Sequence, residues 1–140
     1  MPPALRSAAT AGDVVMAAEG VSVKISGRSI ALPGVRAGRS VNLNAGSIVL
    51  SRDRIRASVG AWVVLDSSFG EDAQNGHTVT FAADGVHVHL EVPEIYEGGR
   101  GTFALHFRID LDQSVLAALP STPRAVRVPD GIAPLLRNWA

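Results

Sequence analysis

His87-Val88-His89, followed by Glu94 and, further on, by His106, is the pattern whose residue types and spacing suit metal chemistry most directly in this 140-residue chain. Residues two apart on a strand point to the same side, so His87 and His89 share a face. A hairpin centred near residue 96 or 97 sets His106 opposite His87, and three imidazoles can then meet. Imidazole nitrogens suit zinc, copper, iron or nickel, and a carboxylate from Glu91 or Glu94 would complete a mixed site.

The spacing His-x-His, four residues, Glu94, six residues, Gly101 resembles part of the first motif of the cupin family, whose members are metal-binding β-barrels. The resemblance covers residues 87–101. It implies a small metal- or ligand-binding barrel using His87, His89 and Glu94, to which the hairpin geometry adds His106. Pro129-Asp130-Gly131 and Asn138 echo the second motif, with Pro134 where the family places its last metal-binding His.

The apolar alternation leads to a different reading. Val86, Val88, Leu90 and Val92 repeat with period two, so they face a core and turn His87, His89 and Glu91 to water on a one-sided sheet. On that reading the histidines are a solvated sheet face. The expected function is a non-catalytic binding or interaction domain, and the metal barrel is its alternative.

Charge is unevenly spread. Net charge is zero, yet residues 24–56 carry Lys24, Arg28, Arg36, Arg39, Arg52, Arg54 and Arg56 against Asp53 alone, while most carboxylates lie in residues 66–112. Arg52, Arg54 and Arg56 alternate around a hairpin tip and Arg28 lies at another. Guanidinium forks placed so would suit a phosphate or carboxylate, and this is the candidate anion-binding set. The competing reading pairs these arginines with the acidic half of the chain.

Other chemistry is argued against. The chain has no Cys, which excludes disulfides, thiolate catalysis and Cys-ligated zinc. Neither a phosphate-cradling glycine loop nor a Gly-x-Ser-x-Gly elbow is present, so no catalytic residue and no cofactor are assigned. A neutral chain without a basic stripe interleaved with aromatics offers little to nucleic acid. Expected partners are a protein, another copy of the chain, or an anionic or amphiphilic small ligand. No stretch approaches the ~20 apolar residues of a membrane span. Met1-Pro2-Pro3-Ala4-Leu5-Arg6-Ser7 lacks the charged start and apolar run of a signal peptide, so a cytoplasmic location is expected.

The elements that must position these residues are mostly strands. Seventeen Val, 14 Gly and 8 Pro favour short strands and tight turns over long helices. Residues 1–20 read as an arm or short helix, and residues 21–140 as a single β domain with C-terminal helices. Turns are expected at Ser26-Gly27-Arg28, Asn44-Ala45-Gly46, Ser51 to Arg54, Gly60 and Ala83-Asp84-Gly85, and a loop over residues 66–76. Asp110 and Gln113 have capping-box spacing ahead of a helix over residues 111–119, and Asp130 would cap a last turn carrying Ile132, Leu135, Leu136 and Trp139. About eight or nine strands without long crossover helices imply an antiparallel barrel or sandwich. The order of strands then helix is similar to that of pleckstrin-homology-type barrels.

Overall fold

Branched side chains that are stiff at χ1 sit well on a pleated surface, and among the described residues the Val-rich segments form eight strands. The computed structural model describes residues 2–10, 13–31, 40–69, 77–95 and 100–129. Its strands are β1 (Val14–Ala31), β2 (Ser40–Ser51), β3 (Arg54–Val59), β4 (Trp62–Ser68), β5 (Thr78–Ala82), β6 (Gly85–Glu91), β7 (Arg100–Arg108) and β8 (Arg124–Ala125). Short helices α1 (Pro3–Ala9), α2 (Val92–Ile95) and α3 (Gln113–Ala117) accompany them. No helix among the described residues is long and apolar enough to cross a membrane.

The fold is mainly β, as expected. One antiparallel sheet of order β4-β3-β2-β1-β7-β6-β5-β8 curls into a half-barrel. It consists of two meanders, β1 to β4 and β5 to β7, joined where β1 lies beside β7. Alternate residues of every strand from β1 to β7 fill the inner face, with Ile25, Ile48, Leu50, Ile55, Leu90, Phe103 and Phe107 wholly buried. Truncating any of these large side chains to Ala would cost about 2–5 kcal/mol. On the outer face, Leu5 and Ala8 of α1 pack against Val49, flanked by Val14 and Val63, so β2 is buried on both sides around Val49.

The sheet's two ends meet through side chains and loop rather than through a ladder. Phe69, just past β4, meets Phe81 of β5 edge to face with centroids 5.5 Å apart. Beyond β8, the Val126 amide donates to the His77 carbonyl at 3.1 Å, and the next amide, Arg127, donates to Ser67 Oγ of β4 at 2.8 Å.

Several turn signals resolve differently. Ser26-Gly27-Arg28 is not a hairpin, because β1 runs through it with β2 pairing Ser26 and β7 pairing Ser26, Gly27 and Arg28. Ladder pairing outweighs the local turn preference there. Asn44-Ala45-Gly46 lies inside β2 at an irregularity, where three steps from Gly46 to Leu43 oppose two from Val21 to Val23. Gly46 is needed because a Cβ would strike the Val23 side chain and stand 2.7 Å from the Val21 carbonyl oxygen. A second irregularity falls at Gly20, whose φ of 70° suits glycine, and Gly46 and Gly20 both mark bulges rather than reversals.

Strand β1 starts at Val14, seven residues ahead of the alternation at Val21, and β4 extends to Ser68 into the expected loop. The helix near residue 111 begins later than the Asp110/Gln113 spacing indicates. Leu111 is buried with its amide bonded to the Ala83 carbonyl, so Asp112 becomes the cap and accepts from the Val115 amide at 2.9 Å. The turn expected at residues 130–140, with Trp139, lies outside the described residues, as do Arg36 and Arg39.

Candidate functional site

The β5–β6 hairpin turns at Ala83-Asp84, and Gly85 opens β6 with φ 134°. Phe107 requires this glycine, since a Cβ would strike its carbonyl oxygen. That close approach fixes how β6 lies on β7, and the resulting register places His87 opposite His106. The hairpin centre read from the sequence therefore gives the observed pairing.

The facing of the strand is also clear. Val86, Val88 and Leu90 are buried, whereas the side chains of His87 and His89 are 42% and 47% exposed. His106 is less exposed, at 21%. The imidazoles of His87 and His106 stack with centroids 4.0 Å apart and planes within 17°.

A third residue joins them. His87 Nε2 lies 2.9 Å from Asp84 Oδ1. His106 Nε2 lies 3.1 Å from the Asp84 carbonyl oxygen and 3.8 Å from Oδ2. Two imidazole edges thus converge on one turn residue. The His87 hydrogen bond, helped by the charges that His87 and His106 can carry, holds the Asp84 carboxyl below the ordinary carboxylate range. The sequence marks Asp84 only as a hairpin tip. Its signal was its position three residues before His87, across a turn that folds back over the start of β6.

His89 is not part of this cluster. Its Nε2 lies 2.8 Å from Glu91 Oε1, its own neighbour along β6. Glu94 lies in α2, and its side chain is outside the described residues. The histidines expected to gather thus divide into His87 with His106, and His89 with Glu91, all on the outer side of the sheet. The fourth histidine, His77, is buried, and its Nδ1 accepts from the Glu91 amide at 3.0 Å.

Beside His89 the outer face dips into a depression of about 310 Å³, lined by Ser26, Gly27, Thr102 and Ala104 as well as His89 itself. Small side chains on two adjacent strands create it. Across these strands, Lys24, His106, His87 and Thr80 form one row, and Ser26, Ala104, His89 and Thr78 the next.

Of the candidate anion-binding arginines, two meet on a carboxylate of the chain itself. Arg54 and Arg56 share Asp66 on neighbouring β4, with Arg54 Nη2 at 2.7 Å and Arg56 Nε at 3.3 Å from its Oδ1. Arg54 Nη1 also reaches Ser68 Oγ at 3.4 Å. Arg52 is exposed on the β2–β3 turn. The backbone of Arg28 pairs with Thr102 of β7, and its side chain is outside the described residues.

Comparison with known proteins adds no relative: no protein-family model matches the chain, and no curated protein or solved structure is significantly similar to it.

Proposed function

We propose that this chain is a non-catalytic binding domain that presents the outer face of β1, β7, β6 and β5 to a protein surface, a second copy of the chain included. One observation carries the reading: among the described residues α1 covers the outer face at Val49 of β2, while on β7 and β6 Ala104 and His89 are exposed and the polar side chains are held in place. Side chains already fixed by His87–Asp84 and His89–Glu91 contacts lose little freedom on association, which lowers the cost of binding. The depression lined by Ser26, Gly27 and Ala104 gives a partner side chain somewhere to seat.

The same face is favoured over the arginine hairpin as a contact surface. Asp66 already engages Arg54 and Arg56, so an anionic ligand at that tip would compete with a carboxylate in place.

The test is position-specific photocrosslinking in cells, with a photoreactive phenylalanine at Ala104 and, as a control, at Arg52. A protein adduct at position 104 and none at position 52 supports the reading, and an adduct containing this chain alone identifies the partner as a second copy. Absence of any adduct at 104, or equal adducts at both positions, overturns it.

A further inference from the structure

We infer that Asp84, His87 and His106 form a binding site for a divalent transition metal, of the zinc, nickel or cobalt class, on the outer face of the sheet. The site rests on this chain's own donors and does not depend on the face being occupied by a partner.

Geometry is the first ground. One carboxylate oxygen and one nitrogen from each imidazole lie within 4.8 Å of one another. Metal–nitrogen and metal–oxygen bonds near 2.0–2.2 Å place tetrahedral donors roughly 3.3 Å apart, so the set closes on an ion by side-chain rotation, without movement of the strands. His87 Nε2 and Asp84 Oδ1, at 2.9 Å, already stand closer than that, and the stacked rings must splay apart about their side-chain bonds for their lone pairs to converge on the ion.

Rigidity is the second ground. His87 and His106 are direct cross-strand partners in the ladder between β6 and β7. Asp84 is tied to the same place because the next residue, Gly85, packs against the Phe107 carbonyl. The backbone positions of all three donors are therefore set by the fold before an ion arrives, and little ordering cost remains.

Donor chemistry selects the ion. Two imidazoles and one carboxylate suit borderline divalent metals and not calcium or magnesium, which prefer oxygen donors. Without metal, the Nε2 atoms lie against Asp84 Oδ1 and the Asp84 carbonyl. With metal, each ring binds through the Nε2 lone pair in the tautomer protonated at Nδ1, so hydrogen bonds to Asp84 are exchanged for metal bonds. Three protein donors on an exposed face leave the remaining coordination positions to water or to a side chain from a docked protein.

The neighbouring pair does not compete. His89 and Glu91 supply two donors, hydrogen-bonded to each other, and His77 is buried with its Nδ1 engaged by the Glu91 amide.

The experiment titrates the chelator-treated full chain with Zn²⁺ by calorimetry, and follows its imidazole resonances while Ni²⁺ is added. The expected result is saturable binding of one ion, with the His87 and His106 resonances perturbed first. Binding should weaken at least about tenfold in each of Asp84→Ala, His87→Gln and His106→Gln, and stay unchanged in His89→Gln. All four side chains lie on the outer face, and the parent's resonances report on the site without any substitution. Absence of Zn²⁺ binding by the parent, parent-like binding by a His87→Gln, His106→Gln double variant, or an equal loss in His89→Gln would overturn the site.

Discussion

The Arg127 amide donates to Ser67 Oγ at 2.8 Å, which links the segment after β8, at one end of the sheet, to β4 at the other. Ser67 is fully buried, and its hydroxyl in turn donates to the Ser68 carbonyl at 2.8 Å. One serine thus fastens the open side of the half-barrel with the help of the Phe69–Phe81 contact.

Ser67→Ala removes that fastening while leaving the sheet ladders whole. The expected cost is about 1–3 kcal/mol, because the buried hydroxyl both accepts from the Arg127 amide and donates to the Ser68 carbonyl. Amide exchange at Arg127 should accelerate far more than exchange in β1 or β7. Uniform acceleration across the sheet would show that the seam and the sheet open together.

Three glycines should respond to alanine in a definite order. Gly85→Ala combines positive φ with collision against the Phe107 carbonyl, and is expected to cost most. Gly46→Ala has ordinary φ but meets Val23 and Val21, so an overpacking cost of about 1–3 kcal/mol is expected. Gly60→Ala has open space and bears only the left-handed backbone cost, about 1–2 kcal/mol. Denaturant midpoints of the three variants check the order.

Asp66 should matter where Arg52 does not. Arg52→Ala, at an exposed turn, should leave stability unchanged within about 0.5 kcal/mol. Asp66→Ala leaves Arg54 and Arg56 as like-charged neighbours, and should cost up to about 1 kcal/mol in dilute buffer, less in salt. Thermal melts at two ionic strengths separate these outcomes.

Acid sensitivity of α3 follows from its cap. The Ser114 hydroxyl and then the Val115 amide hold the Asp112 carboxyl below its ordinary value. A carboxyl depressed in the folded state stabilises above its unfolded pKa, about 3.9, and loses that contribution as pH falls through the folded value. Asp112→Ala should therefore melt below the parent at neutral pH, with the gap closing under acid conditions, whereas Asp112→Asn should keep the cap and flatten the pH dependence. A gap that persists at low pH would assign the effect to packing.

Legibility varied with the length over which a signal acts. The alternation Val86, Val88, Leu90 stated its own facing, because a one-residue slip would bury His87 and His89, and the short β6–β7 connection then set His106 against His87. Asp84 was hidden because its role depends on how a turn folds over the ladder, which no periodicity records. Ser26-Gly27-Arg28 and Asn44-Ala45-Gly46 carried turn composition, but pairing across β1, β2 and β7 decided their conformation. The Arg54 and Arg56 partnership was obscured for a related reason. Asp66 reads as the start of a loop, and only the β3–β4 register puts it opposite Arg56.

The central place of β1 bears on how the chain reaches its native state. One edge of β1 pairs with β2, soon after it in sequence, while the other waits for β7, which begins only at Arg100. During synthesis the first meander can assemble early, but it carries a long unpaired edge and half an inner face until the second meander emerges. Non-local pairing of this kind raises contact order and slows folding, and the waiting edge is the place where two nascent chains would join in error.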